Sequence, residues 1–88
     1  MLSKSDFLLD PHIIFLNHGS FGATPREVFE IYQDWQRKLE AEPVKFIARD
    51  LFGHFKETRD MLGKYLNTSR DNLVFVPNAT FGVNIIAR

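Results

Sequence analysis

The sequence contains no cysteine, which excludes both a disulfide framework and a thiolate metal site. It has no surplus of either charge, because eleven basic residues balance eleven acidic ones. That balance gives no electrostatic case for nucleic acid or an anionic membrane surface as a partner. Long hydrophobic runs are missing as well. No segment approaches membrane-spanning length. The apolar opening is cut at Asp10-Pro11 before it reaches the run of about seven residues that a secretory signal needs. His12 and His54 stand at metal-ligand spacing with nothing and read as ordinary surface or boundary residues. These absences together read as a soluble, cytoplasmic protein with no nucleic-acid partner, no membrane partner and no metal.

The apolar content is ample by comparison. At 88 residues, with 44% apolar side chains and nine phenylalanines, the chain has the composition of an ordered protein with room for one modest core. Residues 1–24 read as an irregular arm in which "IIFL" (Ile13 to Leu16) forms one short strand and "NHGSFGATP" is loop. A helix then starts with Thr24 as N-cap, Pro25 at the first helical position and Glu27 at the third, a capping box with proline preset for the first turn. Val28, Tyr32, Trp35 and Leu39 fall on one face of it, a stripe read as core. Glu42-Pro43 closes it, since proline disfavours helical geometry in the residue before it.

A second helix is expected over 45–66, with Ile47, Leu51, Phe55, Leu62 and Leu66 on its inner face. Gly53 weakens it by about 1 kcal/mol relative to alanine. Asn67 to Asn72 is a polar turn, and "LVFV" (Leu73 to Val76) reads as a strand buried on both faces. A third helix starts near Thr80. That helix reaches Arg88 without a stop signal, and a strand buried on both faces needs neighbours that the chain does not supply. The expectation is therefore the opening segment of a larger α/β domain.

Between that strand and the third helix, Pro77-Asn78-Ala79-Thr80 forms a bend. The first turn of a helix leaves backbone N–H groups unpaired and carries partial positive charge. Ala79 lets a ligand approach the backbone, Thr80 adds a hydroxyl donor, and Gly82 removes bulk from the next turn, so the bend suits a phosphate. The alternative is that Asn78 or Thr80 merely caps the helix.

Three blocks, "LNHGSFGATPREV", "EAEPVKFIARDL" and "NLVFVPNATFGVN", together resemble the N-terminal part of class V aminotransferase-type enzymes that depend on pyridoxal 5'-phosphate, in particular the isopenicillin N epimerase-like branch. The resemblance runs from about Phe15 to Ile86 in the expected order and spacing. It implies a pyridoxal-phosphate-dependent transferase fold of type I, of which this chain carries large-domain helices and the first strand. Residues 1–24 would be the arm and substrate-side loop, and residues 25–88 the beginning of the cofactor-binding large domain. It also implies that Ala79 and Thr80 bind the cofactor phosphate and that Asn17, His18 and Gly19 line the substrate side.

For His18 the other reading is a loop histidine bonded to backbone, and for Gly19 and Gly22 it is loop geometry alone. Arg49 lies in "FIAR", which resembles an intersubunit stretch of the family and reads otherwise as a solvated helix arginine. The family's Schiff-base lysine, ring-pairing aspartate and ring-stacking residue lie beyond the matching region, so no catalytic residue is assigned here. The resemblance further implies a homodimer acting on an amino acid or amine. Epimerase, lyase, desulfurase and transaminase chemistry are not separated by it. Two readings from other classes stand beside it: a small helical protein-interaction module using its phenylalanine-rich faces, and an anion-binding module without catalysis.

Overall fold

Helix α1 spans Arg26–Ala41 and is entered through an extended Pro25, whose φ of −54° and ψ of 141° lie outside helical values. In the computed structural model, which describes residues Met1–Arg88, the Pro25 carbonyl accepts the first helical bond from Phe29 N–H at 2.9 Å. Pro25 is thus the N-cap, and no side chain caps the helix. The expected capping box of Thr24 and Glu27 is not formed, and Thr24 stands one residue outside the cap. The cause is non-local. Pro25 forms an antiparallel bridge with Phe7, and the Arg26 guanidinium donates to the Phe7 carbonyl at 3.0 Å. This pairing holds Pro25 extended, so helical geometry begins only at Arg26.

The helix ends as its sequence dictates. Glu42 leaves helical space at φ −146° and ψ 72°, and Pro43 opens the single turn α2, Pro43–Lys45. A π-helical segment, Phe46–Asp50, follows and leads into α3, Leu51–Leu66. The helix expected over 45–66 is therefore present, beginning two residues earlier and interrupted by a π segment. Phe46 meets the edge of Trp35 at 6.0 Å between ring centroids, and the Lys38 ammonium lies over the Trp35 ring at 4.4 Å.

Two compact units divide the chain, Met1–Phe46 and Ile47–Arg88. In the second, α3 stops where Asn67 takes up left-handed geometry at φ 55°. Thr68 N–H donates to the Gly63 carbonyl at 2.9 Å and Asn67 N–H to that of Lys64 at 3.4 Å, the pattern of a Schellman cap. A 3₁₀ turn, Arg70–Asn72, packs back on the helix end, where Gly63 is buried. A Cβ on Gly63 would lie 2.7 Å from the Thr68 carbonyl oxygen. The Arg70 guanidinium reaches both carboxylate oxygens of Asp60, at 3.3 and 3.0 Å. Helix α4, Ala79–Ala87, completes the unit.

Neither expected strand forms. Leu73 is extended at φ −116° and ψ 135°, but the Leu73–Val76 stretch pairs with no other segment, and Ile13–Leu16 likewise has no ladder. Instead of being buried on both faces, Val74 is 82% exposed. Leu73 and Phe75 rest against α3, where Arg59 donates to the Leu73 carbonyl at 3.4 Å and the Phe55 and Phe75 rings lie 5.6 Å apart. The chain on its own is helical, and the α/β class is not confirmed. A strand is defined by bonds to its neighbour, and no second segment supplies them.

The apolar stripes are also uncovered. No hydrophobic side chain is fully buried, and Val28 and Tyr32 of the α1 stripe are more than half exposed. The accessible surface is 7988 Å². A self-contained folded protein of 10.2 kDa exposes about 5,300 Å². The 88 residues close no core of their own.

Candidate functional site

The expected site residues fall in both compact units, and each group is described by itself. In the first unit, Asn17, His18 and Gly19 lie on a loop closed on itself between Asn17 and Ala23. The Asn17 carbonyl accepts from Phe21 N–H at 3.0 Å. The His18 ring sits edge-on to Phe15, with centroids 4.6 Å apart, and tilted against Phe7 at 5.8 Å. Its Nδ1 accepts a hydrogen bond from Ala23 N–H at 3.4 Å. A side chain at Gly22 would bring Cβ to 3.1 Å from the His18 carbonyl oxygen, so close backbone approach accounts for that glycine. Gly19 differs. No glycine has positive φ, and nothing lies within 4 Å of a Cβ built on Gly19. Loop geometry does not require it, and the space beside its backbone is open.

Sequence reasoning passed over Lys4 and the first turn. Lys4 donates to the carbonyls of Pro11 and Ile13 and so ties the arm to the segment that leads into the loop. Ser3 N–H donates to the Asp6 carboxylate at 2.6 Å. The serine-x-x-aspartate spacing of Ser3 and Asp6 carried that information and could have been read.

In the second unit the bend turns into α4 at Asn78, an extended residue with φ −165° and ψ 172°. Its Oδ1 accepts from Phe81 N–H at 2.8 Å, and its carbonyl accepts from Gly82 N–H at 3.2 Å. Asn78 is therefore the cap. The Thr80 hydroxyl takes no part in capping, and it has no hydrogen-bond partner in the chain. The Ala79 and Thr80 amides, both exposed in the first turn, also find no acceptor in the chain. Two N–H groups and one hydroxyl thus stand free at the positive end of a helix of nine residues. Gly82 packs its backbone near Val76, where an added Cβ would make an ordinary contact at 3.6 Å.

The remaining candidates are plain. Arg49 is exposed within the π segment, and His12 is exposed in the arm. His54 Nδ1 lies 3.9 Å from the Glu57 carboxylate on the same helix. No group of three histidine or acidic side chains is placed to hold a metal ion, and no helix is long and apolar enough to cross a membrane.

Comparison with known proteins adds a second line of observation. No family model matches the chain, and no solved structure matches it significantly. Curated proteins do. The chain is 32% identical over 85 residues to isopenicillin N epimerase of Streptomyces clavuligerus, a match covering 97% of this chain and 21% of that protein. It is 35% identical over 85 residues to isopenicillin N epimerase of Amycolatopsis lactamdurans, again over 97% of this chain and 21% of that protein. It is 30% identical over 78 residues to the probable chloroplastic L-cysteine desulfhydrase of Arabidopsis thaliana, over 88% of this chain and 16% of that protein. The chain spans about a fifth of the length of the curated relatives it matches.

Proposed function

We propose that the chain is the N-terminal part of a pyridoxal-phosphate-dependent enzyme of the class V aminotransferase type, in the isopenicillin N epimerase-like branch, and that it contributes the turn that binds the cofactor phosphate. The observation that carries this reading is the division of labour at the bend. Asn78 alone caps α4, which leaves the Ala79 and Thr80 amides and the Thr80 hydroxyl free for an anion. These donors fit a phosphate monoester dianion, since helix N-termini favour negative charge and exposed amide N–H groups donate to its oxygens. Similarity over nearly the whole chain to an epimerase and a desulfhydrase supports the assignment. The absence of a buried core supports it over a self-sufficient interaction module, because a free-standing module would have to close its own apolar faces.

In this reading residues 1–24 are the arm with its substrate-side loop, and 25–88 begin the large domain, whose sheet would pair Leu73–Val76. Ala79 and Thr80 hold the phosphate through amide and hydroxyl donors. Asn17, His18 and Gly19 line the substrate side, where the open space beside Gly19 admits a ligand close to backbone. When bound, pyridoxal phosphate supplies an electron sink for bond-breaking at the substrate's amine-bearing carbon. The protein would be a cytoplasmic homodimer acting on an amino acid or amine. Its reactive groups would be supplied by the rest of the polypeptide.

Titrating the full-length apo-protein with pyridoxal phosphate and with pyridoxal, which lacks the phosphate, tests the reading. Strong binding of the first and much weaker binding of the second is expected. Equal affinities would remove the phosphate turn from the account.

A further inference from the structure

We propose that His18 is the positioning residue of the loop from Asn17 to Ala23: a neutral imidazole, fixed in the Nε2–H tautomer, whose Nδ1 closes the loop and so presets Asn17 and Gly19. Three contacts converge on this loop from different atoms. The Asn17 carbonyl takes the Phe21 amide at 3.0 Å, the His18 carbonyl lies where a Gly22 Cβ would be tight against it at 3.1 Å, and His18 Nδ1 takes the Ala23 amide at 3.4 Å. An imidazole nitrogen that accepts from an N–H must carry a lone pair, so in the neutral ring the proton resides on Nε2. Phe15, edge-on at 4.6 Å, and Phe7, at 5.8 Å, hold the ring in the plane that aims Nδ1 at Ala23. Lys4 is the charged side chain lining the same hollow, and its ammonium is engaged by the Pro11 and Ile13 carbonyls. His18 then acts through the loop it closes, and the residues it presets meet the ligand.

The consequence for a substrate rests on the substrate-side reading of this loop, whereas the closure itself does not, and the test separates them. In full-length protein with ¹⁵N-labelled histidine, His18 should show a pyridine-like Nδ1 and a pyrrole-like Nε2; the opposite assignment overturns the proposal. Asparagine places its Oδ1 near the position of Nδ1, whereas glutamine reaches toward Nε2 and phenylalanine supplies only the ring. Losing one ordinary hydrogen bond predicts amide exchange at Ala23 about three- to tenfold faster in His18→Phe and His18→Gln, with His18→Asn restored to within about twofold of wild type. Unchanged exchange in His18→Phe, or an asparagine variant as fast as phenylalanine, overturns the closure. If the loop serves substrate, KM should rise in His18→Phe and recover in His18→Asn while kcat holds. A KM indifferent to all three variants, with the Ala23 result as expected, sustains the closure and overturns the substrate-side reading alone.

Discussion

Replacing Thr80 by valine in the full-length protein isolates the hydroxyl at the bend. Valine keeps the branched shape and has nearly the same helix propensity, so the helix itself is little disturbed. The N-cap bond is untouched, because it runs from Phe81 N–H to Asn78 Oδ1 and does not involve Thr80. The hydroxyl has no partner in the chain, so its removal strands no donor or acceptor. Apo stability should therefore stay within about 0.5 kcal/mol of wild type. Cofactor binding should not. A hydrogen bond to a phosphate oxygen is charge-assisted and contributes roughly 1.5–3 kcal/mol, which is about one to two orders of magnitude in affinity. Saturating cofactor would hide this loss in an activity assay, so the quantity to measure is the affinity of apo-protein for free pyridoxal phosphate, by fluorescence or calorimetric titration. Thr80→Ser should keep most of the affinity. Wild-type affinity in Thr80→Val, with or without a change in apo melting temperature, would remove Thr80 from the phosphate site.

Other substitutions probe the local structure around both candidate sites. Asn78→Ala removes the side chain that accepts from Phe81 N–H and should cost about 1 kcal/mol in denaturant unfolding of the apo-protein, the converse of the threonine variant. Thr24→Ala should leave stability within about 0.5 kcal/mol of wild type, because Pro25 and not Thr24 begins α1; a larger loss would restore the capping box. Gly63→Ala should destabilise by about 1–3 kcal/mol, since its Cβ would lie 2.7 Å from the Thr68 carbonyl oxygen and that turn is held by the Arg70–Asp60 pair. Asn67→Ala should cost about 1 kcal/mol in the same assay, as alanine tolerates the left-handed geometry at φ 55° less well, while Asn67→Gly should be nearly neutral.

Features that local chemistry decides are legible along the chain. Proline at 43 ends α1 at Ala41 because it constrains the residue before it, and Asn67 marks the end of α3 because asparagine tolerates left-handed geometry. The turn at Ala79 and Thr80 is legible only in part, because a cap candidate and a donor lie within three residues of each other, but that Asn78 and not Thr80 caps α4 is decided by the bond from Phe81 N–H to Asn78 Oδ1. Three other features depend on atoms distant in sequence. The start of α1 is shifted to Arg26 by pairing of Pro25 with Phe7, eighteen residues earlier, which no capping pattern contains. The imidazole of His18 acquires its orientation from Phe7 and Phe15 and its acceptor role from Ala23, so only the folded loop distinguishes a closing residue from a ligand contact. Leu73–Val76 has the composition of a buried strand, but composition cannot supply the partner whose carbonyls and amides make a ladder. Helix bonds close within four residues and are therefore written in the local sequence, whereas sheet bonds and burial belong to pairs of segments and exist only where a second segment is present.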